Sequence, residues 1–150
     1  MTCAMLVHAT AVAIGGKAVL LRGPPGAGKS DLALRLIDAG AALIADDQAE
    51  LRRSGNHIFV RAPALIAGLI EIRGLGILRL KIVEEAPLAM CADLLPSTEI
   101  ERLPERRFEV VLGIAIPLIA VSAFEASAAA KLRFTLRAVS ADPLVAILQS

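Results

Sequence analysis

The run Gly23-Pro24-Pro25-Gly26-Ala27-Gly28-Lys29-Ser30 concentrates the groups of this chain best suited to holding an anion. It matches G-x-x-x-x-G-K-[ST], in which glycines let successive backbone N–H groups close around phosphate oxygens. The helix N-terminus that follows adds positive potential, and the two prolines stiffen the loop. Read this way, Lys29 reaches the β and γ phosphates and Ser30 offers its hydroxyl to Mg²⁺. Such a loop does not say what receives the phosphoryl group, so a base and a second metal ligand must come from elsewhere. Asp46-Asp47 close the short apolar run Leu43 to Ala45. Adjacent strand residues face opposite ways, so both acids can address one site only if the strand ends there. One then acts directly and the other supports it; the structural alternative is a paired cap or turn. Leu69 to Arg73 alternates, placing Glu71 and Arg73 together on one face.

These groups need a scaffold, and the pattern around them supplies one. Leu6 to Ile14 and Ala18 to Arg22 read as a β-hairpin turning at Gly15-Gly16. After the glycine loop, Leu32, Leu34, Leu36 and Ile37 belong to a helix stopping at Gly40. Leu43 to Ala45 is a short buried strand, spaced to lie next to the first one. Ser54-Gly55-Asn56 turns between runs at Ala49 to Arg53 and His57 to Arg61. A second alternating run, Ile77 to Val83, follows Gly74-Leu75-Gly76. Pro96 to Arg107 reads as an exposed connection, one or two apolar strands run through Val121, and Phe124 to Ala138 is the last helix expected. The class is α/β, strand-rich, with one helix behind the phosphate loop and another near the C-terminus.

Composition narrows the remaining classes. A chain of 150 residues suits a single domain over residues 1–150 with its own core. Sixteen Lys and Arg against fifteen Asp and Glu give a net charge of +1, which argues against a nucleic-acid binder. Four phenylalanines without tryptophan or tyrosine also disfavour single-strand recognition. The longest nearly uncharged run, Val110 to Phe124, falls short of the roughly 20 residues needed to span a bilayer. No Lys or Arg precedes Lys17, so a secretory leader is not expected and the chain reads as cytoplasmic, with Cys3 and Cys91 as reduced thiols.

His8, the Gly23–Ser30 loop, Leu43-Ile44-Ala45-Asp46-Asp47 and Leu69-Ile70-Glu71-Ile72-Arg73-Gly74-Leu75-Gly76-Ile77 together resemble the catalytic domain of HPr kinase/phosphorylase. The resemblance covers roughly His8 to Leu136, and the E-I-R-G-L-G-I segment is its most specific part. It implies a fold related to the phosphoenolpyruvate carboxykinases and a mixed sheet. It also implies ATP and Mg²⁺ as cofactors, and as partner the phosphocarrier HPr, or a nitrogen-system paralogue, phosphorylated on serine in the control of carbon and nitrogen metabolism. Carried onto this sequence, Lys29 contacts phosphate, Ser30 and Glu71 hold Mg²⁺, Asp47 takes the serine proton, and Arg73, on the strand face of Glu71, supplies a charge-stabilising cation, a solvated salt-bridge face being the alternative for that pair. His8, otherwise readable as a core histidine on an apolar strand, matches the family's active-site histidine. Arg102 resembles a later catalytic arginine, with Arg106 and Arg107 as alternatives. The family is commonly hexameric, which implies a homo-oligomer.

Three departures qualify the match. Longer members carry an N-terminal domain, and this chain is expected to be a short form without it, like those of some proteobacteria. Pro24-Pro25 stand where many members have a serine. Ile116-Pro117 is followed by Val121-Ser122-Ala123-Phe124-Glu125, with no cation where an arginine-containing segment is usual. The last two weigh toward the forward kinase reaction and against phosphorolysis of seryl-phosphorylated HPr. A non-catalytic ATP-binding module that docks a phosphocarrier and a small-metabolite P-loop kinase are the competing readings.

Overall fold

In the computed structural model, which describes residues 4–148, the order of elements is β1 (Ala4–Val7), β2 (Thr10–Ile14), β3 (Lys17–Arg22), α1 (Lys29–Asp38), β4 (Ala42–Ala45), β5 (Ala49–Ser54), β6 (His57–Arg61), β7 (Leu69–Ile72), β8 (Gly76–Arg79), β9 (Ala86–Leu94), β10 (Arg107–Val111), β11 (Ile114–Val121) and α2 (Ala128–Val139). Gly15 and Gly16 turn the β2–β3 hairpin with φ of 57° and 81°, values that suit glycine and match strand twist. The expected strand from Leu6 to Ile14 is in fact two. It breaks at His8, because β1 pairs with β5 whereas β2 pairs with β3 and β4.

Three further boundaries differ from the sequence expectation. Arg73 lies in the turn joining β7 to β8 and not on the β7 strand face, since Ile72 already pairs with Gly76. The last helix begins at Ala128 and not at Phe124. The guanidinium of Arg35 donates to the backbone carbonyls of Ala123 and Glu125, and Glu125 N–H turns back to Ser122 O. Residues 122–127 therefore form turns fastened to α1. The run expected through Val83 stays in strand only to Arg79; Leu80 N–H then goes to Gly68 O and Val83 N–H to Leu43 O.

The main sheet runs β1-β5-β6-β9-β3-β2-β4, and the β10–β11 pair joins at β9. Strand β9 is long enough to pair antiparallel with β6 at its start and parallel with both β3 and β11 further on. Strand β4 runs antiparallel to β2, which runs antiparallel to β3. Strands β3, β4, β9 and β11 thus point one way, and their C-terminal ends, with the start of β2, lie along one rim. Open α/β sheets hold ligands at such a rim.

Both sheet faces are covered, which is why the central strands read as continuous apolar runs. On one face Val12, Val19, Leu21, Met90 and Val121 pack under Leu32 and Leu36 of α1 and Leu132 and Leu136 of α2. On the other, Ala11, Ala18, Leu20 and Cys91 meet Leu51, Ile58, Val60, Val111 and Ile116. Arg22 ties three strands, donating to Asp93 at 2.8 Å and Glu109 at 2.6 Å. The Asp93 bond, opposed by burial and reinforced by Glu109, holds that guanidinium above its ordinary value. Cys91 is buried and free, and Cys3 lies outside the described residues. Among the described residues no helix is long and apolar enough to cross a membrane.

Candidate functional site

The glycine loop leaves β3 and enters α1 as the sequence pattern requires. Gly26 and Gly28 adopt φ of 85° and 98°, and Ala27 N–H closes on Pro24 O at 3.0 Å. A side chain at Gly23 would come 2.8 Å from Ala27 Cβ, so the loop's tight return needs glycine there. Lys29 folds over the loop and donates to Gly23 O at 2.6 Å, with a longer contact of 3.4 Å to Pro24 O. These are neutral carbonyls, and a more basic oxygen such as phosphate competes for the ammonium at little conformational cost.

The Asp46-Asp47 pair stands where β4 ends, so both residues escape strict strand alternation. Asp46 is half-buried and accepts three hydrogen bonds: from Ser30 Oγ at 2.7 Å and Thr10 Oγ1 at 3.0 Å on one oxygen, and from the Glu71 backbone N–H at 3.1 Å on the other. This carboxylate joins the phosphate loop, the start of β2 and strand β7. Asp47 is exposed, with φ of 64°, a left-handed conformation that aspartate and asparagine tolerate better than most residues. Its backbone N–H donates to Thr10 Oγ1 at 3.2 Å, which fixes the turn.

Thr10 is fully buried and bonded to both members of the acid pair, yet the sequence reading did not single it out. Its only signal was a hydroxyl inside an otherwise aliphatic strand. Asp46, Asp47 and Glu71 line a cleft of about 300 Å³ together with Gln48, Ile66, Leu69 and Ile77. One wall is therefore acidic and the other aliphatic.

The other sequence candidates are less tightly drawn together. His8 is exposed in the break between β1 and β2, two residues before Thr10 on the same rim. Arg73 is exposed in the β7–β8 turn. Arg102 is exposed on the connection that leaves β9 and returns into β10, both at this rim. Among the described residues no group of three or more His, Cys, Asp or Glu is assembled to enclose a metal. The donors present, the Ser30 hydroxyl and the Asp46 and Glu71 carboxylates, are hard oxygens. They fit Mg²⁺, which completes a partial protein shell with water and phosphate.

A mixed α/β sheet with a glycine loop opening its first helix, and an acid pair at the end of β4 bonded to that helix through Ser30, defines the class of fold. The chain matches the family described as HPr Serine kinase C-terminal domain over residues 1–132, and it belongs to that family. It is 36% identical over 126 residues to an HPr kinase/phosphorylase of Burkholderia lata, covering 77% of this chain and 39% of that protein. It is 47% identical over 73 residues to an HPr kinase/phosphorylase of an Exiguobacterium species, covering 48% and 24% respectively. The fold superposes on the Hpr(Ser) kinase/phosphatase of Coxiella burnetii with a TM-score of 0.79 at 26% identity, covering 89% of this chain and 94% of the other. The chain thus spans between a quarter and two fifths of the length of the curated relatives it matches.

Proposed function

We propose that this chain is an ATP-dependent protein serine kinase acting on the phosphocarrier HPr, or on its nitrogen-system paralogue, in the control of carbon and nitrogen metabolism. The observation that carries the reading is the 2.7 Å bond from Ser30 to Asp46, which locks the phosphate loop to the acidic cleft. A terminal phosphoryl held by the loop then faces a carboxylate, Asp47, free to receive a proton. Family membership supports the same reaction class.

In this mechanism the loop N–H groups of Gly23 to Ser30 and the ammonium of Lys29 bind and orient the nucleotide phosphates. Ser30, Asp46 and Glu71 would hold Mg²⁺, which when bound neutralises charge on the β and γ phosphates. Asp47 accepts the proton of the acceptor hydroxyl, while Asp46, fixed by Thr10 and the Glu71 N–H, positions the acid pair. Arg73 and Arg102 supply cations for charge spreading over the transferred group, and His8 joins them from the rim. Positioning and electrostatics account for most of the catalysis. The aliphatic wall of Ile66, Leu69 and Ile77 receives the acceptor protein, Ile77 being 70% exposed.

The protein is further proposed to be a cytoplasmic homo-oligomer organised as one domain, with transfer to serine as the favoured direction. Incubation with purified HPr tests this, forward with γ-labelled ATP and Mg²⁺ and backward with inorganic phosphate and seryl-phosphorylated HPr. Label on an HPr serine, with weak return, is expected. No transfer across Mg²⁺ and ATP titrations overturns the reading, and tight ATP and carrier binding without turnover replaces it with a docking module.

A further inference from the structure

Beyond the end of β11, Phe124 holds an aromatic ring that is 71% exposed. It is one of only four aromatic side chains of its kind in a chain without tryptophan or tyrosine. The ring lies over the residue that caps α1: a side chain at Gly28 would come 3.1 and 3.2 Å from its Cζ and Cε1 atoms, and 2.9 Å from Ala123 Cβ. Arg35 fastens the carbonyls on either side of Phe124, those of Ala123 and Glu125, and is itself paired with Asp31 at 2.9 Å. Ring and phosphate loop are therefore anchored to one helix.

The sheet order places this ring on a defined flank. On one side of β3 come β2 and β4, which bring Thr10, Asp46 and Asp47. On the other come β9 and β11, which bring Phe124. The residues lining the cleft on the acidic flank include no aromatic ring. A nucleotide with its terminal phosphate beside Ser30 and Asp46 can extend its other end across the loop to the opposite flank, where the ring of Phe124 lies against Gly28.

We infer that Phe124 is the platform on which the base of a bound purine nucleoside triphosphate stacks. This rests on the proposal that the Gly23–Ser30 loop binds nucleotide phosphates, and it assigns the opposite end of that ligand. Stacking on a π-face requires no hydrogen-bond code, so ATP and GTP are both held.

The absence of native tryptophan makes a direct test possible. Phe124→Trp creates a single-tryptophan protein whose emission ATP should quench in a saturable way, while tripolyphosphate, which has no base, should not. Phe124→Leu keeps apolar contact with Gly28 but removes the π-face. It should weaken ATP binding about tenfold, a typical loss for one stacked base, and leave tripolyphosphate binding unchanged. Equal affinity of Phe124→Leu and the parent chain for ATP overturns the inference. So does equal weakening of ATP and tripolyphosphate, which makes the ring a support for the loop. If the parent chain binds neither compound, the phosphate-loop reading falls and takes the stacking assignment with it; if it binds tripolyphosphate alone, only the stacking assignment falls.

Discussion

A single exchange of hydroxyl for methyl at Thr10 disturbs both members of the acid pair. Thr10→Val removes, at a fully buried side chain, the donor to Asp46 and the acceptor of the Asp47 N–H, a loss of about 1–3 kcal/mol in unfolding free energy by urea titration. Thr10→Ser keeps both bonds and should recover most of the stability and the transfer rate; failure of that rescue would show that methyl packing matters more than the hydroxyl. At Asp47, Asn preserves the left-handed backbone and removes the carboxylate proposed to accept the proton. Asp47→Asn is expected to slow phosphotransfer about 10²- to 10⁴-fold with ATP affinity intact, and transfer at the parental rate would remove Asp47 from the mechanism. The glycine loop and the acid pair were legible because their spacing encodes backbone geometry. Thr10 was not, since a lone hydroxyl within aliphatic residues looks the same whether it tightens a strand or holds a carboxylate. Nor did the sequence reveal that Asp46 binds Ser30 while Asp47 is left exposed in the cleft, because that division is set by where β4 ends and by the positive φ of Asp47.

At the scale of elements, the two glycines that flank α1, with similar φ, should respond differently. Gly40 has φ of 110° and open space around a would-be side chain, so Gly40→Ala costs only backbone strain, about 1–2 kcal/mol. Gly28 has φ of 98°, and its added carbon meets Ala123 and Phe124 as well, so Gly28→Ala should cost about 2–4 kcal/mol and weaken tripolyphosphate binding. Equal denaturation midpoints for the two variants would contradict the close packing of residues 123–124 on the loop. Hairpins and the first helix were readable from turn residues and periodicity. The late start of α2 was not, because it depends on Arg35, which lies far from it in sequence yet takes carbonyls that would otherwise begin the helix. The break at His8 was hidden for a related reason: an apolar run does not announce that its halves pair with different neighbours.

At the scale of the whole molecule, the covered sheet controls its behaviour in alkali. Burial first, then the nearby Glu109 and Asp93 charges against the opposing Arg22, push the Cys91 thiol up to about 11 from an ordinary 9.0. The folded state favours the protonated thiol, so its contribution is complete below about pH 9 and lost as pH rises toward 11. That window should remove roughly 2–3 kcal/mol of stability. Denaturant titrations of the parent and Cys91→Ala across pH 8–11 read this directly: the parent should fall more steeply, and parallel curves would refute the coupling. The α/β class and a mixed sheet with two helices were within reach of the sequence because both faces are apolar along each central strand. The order of strands was not, since β9 takes three partners by virtue of length and direction alone.

The hairpin at Gly15-Gly16 turns at the far end of β2 and β3 from the rim that holds the glycine loop and the acid pair, and neither glycine has a neighbour within 4 Å of a would-be side chain. That corner is accordingly a graft point: a reporter domain spliced between the two residues would hang clear of the proposed nucleotide and acceptor sites alike, allowing the molecule to be tethered or imaged.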